Sequence, residues 1–132
     1  MLEIQDLIVS YGAIEAVRGV TITPATGAIT AIVGANGAGK SSLLRAISGL
    51  APIRGGQIRL DGKDITAMPM FERARAGVSY LPQEPSVFRK LTVEENLMAI
   101  LQTRRMSSRD RREKANRLID QMGLGTVRRS KG

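Results

Sequence analysis

One stretch of the 132 residues has the make-up of a reactive site: Gly34, Ala35, Asn36, Gly37, Ala38, Gly39, Lys40 and Ser41, a glycine followed by four residues and then Gly-Lys-Ser. Each part suits a separate task. Glycines at 34, 37 and 39 carry no Cβ, so the backbone can wind closely around phosphate oxygens and turn its N–H groups inward. Lys40 supplies a point charge for the β- and γ-phosphates. At 4 Å and an effective dielectric near 20, one such pair contributes about 4 kcal/mol before desolvation. The Ser41 hydroxyl is a hard oxygen ligand of the kind Mg²⁺ accepts, the ion taking its other oxygens from water and phosphate. A nucleoside triphosphate with Mg²⁺ is the expected ligand, enclosed by residues 34–41 and Ser42.

The flanking segments must position that loop. Residues 28–33, Ala-Ile-Thr-Ala-Ile-Val, are apolar and β-branched and predict a strand covered on both faces. From Lys40 to Ser48, Leu43, Leu44 and Ile47 have helical spacing and Gly49 supplies a stop, so a helix dipole should point at the loop. Ahead of it, residues 2–10 and 16–23 alternate and predict two antiparallel strands. Pro52 and Gly55-Gly56 read as breaks. Residues 57–60 before Asp61-Gly62 predict a short strand and turn, 71–76 a short helix closed by Gly77, and 78–81 another strand. Thr92 and Glu95 form a capping-box pattern for a helix to about Gln102. Ser107 begins a second helix, with Ala115, Leu118, Ile119 and Met122 as its apolar stripe and Gly123 as its stop.

Composition narrows the chemistry. Cysteine and histidine are both absent, which excludes disulfides and thiolate or imidazole metal sites. Aromatic residues are few (Tyr11, Phe71, Tyr80 and Phe88), so the core must be aliphatic, as suits a buried parallel sheet. No apolar run approaches the roughly 20 residues that span a bilayer, and residues 1–5 lack the features of a signal peptide. A cytoplasmic chain is the economical reading. The net charge of +8 is concentrated between Arg104 and Gly132, where ten Arg or Lys face Asp110, Glu113 and Asp120. A solvated helix face accounts for this. Nucleic acid or anionic lipid is the alternative, and the lack of a stacking aromatic in the tail weighs against nucleic acid.

Residues outside the loop point to one family. Tyr11 in Ser10-Tyr11-Gly12 resembles the aromatic residue on which ATP-binding-cassette (ABC) ATPases stack adenine. Gln83 in Tyr80-Leu81-Pro82-Gln83-Glu84 resembles the family's Q-loop glutamine, which contacts Mg²⁺ and the attacking water. The resemblance covers essentially the whole chain. Residues 68–75, 81–91 and 96–102 look like the ATPase subunit of the lipopolysaccharide exporter. Residues 10–12, 35–40 and 44–50 look like the ATPase of the branched-chain amino-acid importer. The exporter is favoured, because the segment after the Q-loop faces the membrane partner.

The resemblance implies an α/β fold: a P-loop NTPase core of ABC type with an N-terminal antiparallel β subdomain and the start of a helical subdomain. It divides the chain into residues 1–91, from the β subdomain through the Q-loop, and 92–132, the start of the helical subdomain with its basic tail. It gives Lys40 and Gln83 catalytic roles and makes Ser41 and Gln83 the Mg²⁺ contacts. Phe88 becomes the apolar anchor, and Arg89 the polar rim, of a groove for a transmembrane subunit. ATP and Mg²⁺ are the implied cofactors, transmembrane subunits and a second ATPase subunit, identical or not, the implied partners. The implied location is the inner face of the plasma membrane, reached through those partners. The sequence contains no Leu-Ser-Gly-Gly signature, no apolar run ending in Asp-Glu and no switch histidine. The expectation is therefore a truncated ABC domain that binds ATP without meaningful turnover and leaves sheet edges exposed. A regulatory module with a basic nucleic-acid- or lipid-binding tail is the reading from another class.

Overall fold

The computed structural model describes all 132 residues, which pack as two compact units, Met1–Leu81 and Pro82–Gly132. In the first unit, β1 (Leu2–Tyr11), β2 (Ile14–Ile22), β3 (Ile53–Leu60) and β4 (Lys63–Asp64) form an antiparallel sheet in the order β2-β1-β3-β4. Helices α1 (Lys40–Ser48) and α2 (Met70–Ala76) belong to the same unit. Leu43 and Ala46 of α1 join Ile4, Leu7, Val9, Val17, Ala51, Ile58 and Ile65 in one aliphatic core. Each fully buried Leu or Ile there contributes about 1.5–3 kcal/mol over its exposed state.

The pattern of β1 holds an internal conflict that the fold resolves with a bulge. Ile4 falls on one phase of the two-residue period, Leu7 and Val9 on the other, yet all three are buried. Asp6 supplies the phase shift: its φ is 47°, and the pairing to both neighbouring strands is irregular around it. Thr21 Oγ1 accepts a hydrogen bond from Asp6 N at 2.9 Å and donates to Asp6 Oδ1 at 3.2 Å. Opposite lies Gly56 at φ 82°, where a Cβ would sit 2.3 Å from the Asp6 carbonyl oxygen. Gly55 and Gly56 are thus not a break. They lie inside β3, which begins at Ile53 rather than Gln57, because the bulge in β1 needs a strand without side chains beside it.

Two expected strands do not form. Residues 28–33 and 78–81 join no ladder, and Ile29, Val33 and Leu81 are over nine-tenths exposed. Apolar β-branched sequence favours an extended backbone, but a strand exists only where a neighbour accepts its hydrogen bonds, and no strand of the chain lies alongside. All observed pairing is consequently antiparallel, not parallel.

The second unit is a pair of helices, α3 (Val93–Gln102) and α4 (Ser108–Gln121), with a 3₁₀ turn at Gly125–Val127. Thr92 Oγ1 accepts from Glu95 N, and Glu95 Oε2 accepts from Thr92 N at 2.7 Å, as the capping box predicts. Ser107 caps α4 by accepting from Asp110 N. Leu101, Ala115 and Ile119 are buried, whereas Met122 is 61% exposed: it falls past the last turn of α4 and leaves the stripe. The second unit starts at Pro82, and residues 82–91 pack onto α3. Asn96 accepts from Phe88 N and donates to the carbonyls of Phe88, Leu91 and Thr92. The C-terminal residues close on the same helix, with Arg128 paired to Glu94 through its Nε at 2.8 Å and through its Nη2. No helix of the chain is long and apolar enough to cross a membrane.

Candidate nucleotide-binding site

The loop ahead of α1 ends in a backbone only glycine adopts readily. Gly37 has φ 83° and Gly39 φ 90°, and a Cβ on Gly39 would lie 2.2 Å from the Ala16 carbonyl oxygen in β2. Gly39 therefore lets the loop rest directly on the β2 backbone. Gly34 has no positive φ, and a Cβ there would meet nothing closer than 3.4 Å, so its surroundings do not demand glycine.

The start of α1 is left open. Gly39 is its N-cap and offers no side chain, and no acid stands in the first turn. The first amide with a backbone acceptor is that of Leu43, which donates to Gly39 O at 2.8 Å. The amides of Lys40, Ser41 and Ser42 ahead of it therefore face outward with the helix dipole behind them. Lys40 Nζ donates to the carbonyls of Gly34 (2.8 Å) and Ala35 (2.7 Å), which keeps the ammonium folded over the loop. Amides, dipole and ammonium all belong to this loop and the helix start it leads into, and carry the same sign, an arrangement suited to an anion with several oxygens. The Ser41 side chain is exposed and enters no hydrogen bond within the chain. No group of Asp, Glu, His or Cys could hold a metal ion, so a divalent cation here would rest on Ser41 and on the oxygens of a phosphate ligand.

A cleft of about 710 Å³ opens beside the loop, between β2 and α1, lined by Ile14, Glu15, Ala16, Val17, Arg18 and residues 37–40 among others. Tyr11, the last residue of β1, is 40% exposed and pairs with Ile14 across the hairpin. Ile14 lines the cleft and Tyr11 does not. A second hollow, about 480 Å³, lies on one face of α4 along Arg109, Arg112, Glu113 and Asn116 and brings together charge without reactive groups.

Gln83, Phe88 and Arg89 belong to the second unit. Gln83 is exposed in a bend, its amide unengaged. Phe88 is 57% exposed while Asn96 holds its backbone on both sides, so the ring is presented by a fixed main chain. Arg89 is exposed alongside. Sequence reasoning missed two residues that organise these sites. Asn96 reads only as a polar residue in a helix, and Arg73 only as a basic residue in Arg73-Ala74-Arg75. Arg73 is 2% exposed, and burial pushes its pKa down.

Comparison with known proteins agrees with this geometry. Residues 17–131 match the ABC transporter family. The lipopolysaccharide export system ATP-binding protein LptB of Acidithiobacillus ferridurans is 42% identical over the whole chain, which covers 55% of that protein. LptB of Escherichia coli strain K12 is 39% identical, over 99% of the chain and 55% of its own length. Among solved structures, an ATP-binding cassette of an ABC transporter in its ADP conformation superposes with a TM-score of 0.82 at 26% identity, over 99% of the chain and 57% of that structure. The chain spans about 55% of the length of the curated relatives it matches. With its glycine-lysine-serine loop closing on the open end of a helix, and with a family match over nearly its whole length, the chain belongs to the ABC transporter ATP-binding family.

Proposed function

We propose that the chain binds Mg-ATP on residues 34–42 as part of an ATPase subunit that couples nucleotide binding and hydrolysis to transport across a membrane. The observation that carries this reading is the uncapped start of α1, where the amides of Lys40, Ser41 and Ser42 lack acceptors and the Lys40 ammonium folds back on the loop. In the bound state the three amides take the phosphate oxygens, and Lys40 exchanges two loop carbonyls for phosphate. Ser41 would offer its hydroxyl to Mg²⁺, whose charge would offset the negative charge of the β- and γ-phosphates. Tyr11 stacks on the adenine from the end of the β1–β2 hairpin, and Gln83 orients the attacking water in the complete subunit.

Lipopolysaccharide export is the transport reading we favour. Its support is the near 40% identity to LptB proteins and the exposed Phe88 and Arg89, which suit a groove for a transmembrane partner. The partner set is then transmembrane subunits and a second ATPase subunit, identical or not, with the pair held at the inner face of the plasma membrane by the transmembrane subunits. Branched-chain amino-acid import is the second reading, on the strength of Ser10-Tyr11-Gly12 and residues 35–40. The 132 residues alone bind ATP without meaningful turnover, because no Leu-Ser-Gly-Gly signature and no apolar run ending in Asp-Glu is among them.

Calorimetry with Mg-ATP is the test. Binding heat that disappears in Lys40→Ala is expected, and a wild-type chain that gives none refutes the nucleotide site. Phosphate release at the rate of a complete ABC ATPase would overturn the claim of binding without turnover.

A further inference from the structure

The most unusual charge in the molecule lies at the end of α1 opposite the loop. Arg73, in α2, is 2% exposed and has no carboxylate within ion-pair distance. Its guanidinium is instead enclosed by backbone carbonyls. Nε donates to Met68 O at 2.8 Å, Nη1 to Ala46 O at 2.6 Å and Ile47 O at 2.8 Å, and Nη2 to Thr66 O at 2.7 Å. Burying a charge without a counter-ion is costly unless dipoles replace the lost water. Here two of the dipoles are the terminal carbonyls of α1, the negative end of the helix whose positive end meets the loop.

Two further features fit α1 to this residue. Gly49 closes α1 at φ 81°, and a Cβ there would lie 3.2 Å from Arg73 Nε and 3.1 Å from Met70 N, so the helix end has been kept bare where α2 and the guanidinium press on it. The Arg73 backbone also takes part: its carbonyl accepts from Val78 N at 3.0 Å and so fixes the start of the segment that leaves α2. Two pieces of chain, the end of α1 and the 66–68 turn, are tied to one planar fork that holds its donors at fixed angles, and the main chain of the same residue holds the exit from α2.

We propose that Arg73 is a positioning residue for the phosphate loop: by fixing the C-terminal end of α1 it sets the aim of the amides at the N-terminal end. The helix is about 13 Å long, so a small tilt at one end displaces the amides at the other, and anion sites need their donors held to about 0.5 Å. This inference rests on the nucleotide-binding reading above. Lysine cannot replace the fork, since its three donors radiate from one atom and cannot reach all four carbonyls on both segments at once.

The test is titration of the 132-residue chain with a fluorescent Mg-ATP analogue, comparing wild type, Arg73→Met, Arg73→Lys and Ile58→Ala. Ile58→Ala opens a cavity in the same aliphatic core while leaving all four guanidinium hydrogen-bond partners in place, and so controls for lost stability. Each is measured where circular dichroism gives the same folded fraction. Arg73→Met should weaken binding about tenfold or more, with Arg73→Lys in between and Ile58→Ala within about twofold of wild type. Should Arg73→Met not fold, Arg73→Lys must still weaken binding by about threefold. Affinity unchanged in the Arg73 variants, or equally reduced in Ile58→Ala, overturns the positioning role alone. A wild-type chain that does not bind overturns the nucleotide site and this role together.

Discussion

Two helices of this chain begin in opposite ways. At the start of α3 every early amide has an acceptor: Val93 donates to Ser130 O, Glu94 to Arg128 O, Glu95 to Thr92 Oγ1 and Asn96 to Thr92 O. Two acids, Glu94 and Glu95, stand in the first turn. At the start of α1 the cap is glycine, the first turn has no acid, and the amides of Lys40, Ser41 and Ser42 have no acceptor. The first arrangement converts a helix end into stability. The second leaves the same groups available to a ligand and adds a cation, Lys40, where a helix start would ordinarily favour an anion. An open helix start beside a capped one in the same chain marks the difference between structure and site.

The contrast can be broken most severely at Lys40. Lys40→Ala should reduce Mg-ATP affinity about 100-fold by calorimetry, since part of a gross ~4 kcal/mol is offset by desolvation, and it should leave the melting temperature nearly unchanged. Gly39→Ala comes next. The αL backbone costs about 1–2 kcal/mol, and the new Cβ would meet Ala16 O. Both affinity and melting temperature should therefore fall, which separates a shaping residue from a charge. Thr92→Ala sharpens the other side: it should cost the second unit about 1 kcal/mol in urea unfolding with ATP affinity unchanged.

The smallest effect is on pH. Hydrogen bonding from Arg128 holds Glu94 below the ordinary value of 4.5, and the Thr92 amide and hydroxyl do the same for Glu95. Depressed carboxylates contribute stability that is complete above their unfolded pKa and lost as pH falls through the folded one. Protection of the Val93 and Glu94 amides against exchange, corrected for the intrinsic rate, should fall as pH drops below 4.5, and should not in the same chain with Glu94→Gln and Glu95→Gln. The α1 amides, with no acid beside them, should show no such dependence.

How much of this was legible in the residues follows from the range over which each signal acts. The loop, α1 with Gly49, and the caps at Thr92 and Ser107 are local: each partner lies within a few residues, and the sequence displays them all. The bulge at Asp6 is passed over when residues 2–10 are read as simply alternating, although Ile4 and Leu7 differ in phase, and its partner Gly56 lies 50 residues away and reads as a break. The strands expected at 28–33 and 78–81 failed for a related reason. Apolar β-branched runs report what backbone they favour, not whether a neighbour is there to pair. Arg73 was illegible, since its partners are main-chain carbonyls from residues 46 to 68, and a carbonyl has no letter in a sequence.

The most direct measurement is a backbone-amide NMR titration with Mg-ATP. Large shifts are expected at Gly37, Gly39, Lys40, Ser41 and Ser42, abolished by Lys40→Ala, with Val93, Glu94 and Glu95 unmoved. Shifts confined to other parts of the chain, or none at the start of α1 at saturating nucleotide, would contradict the nucleotide site.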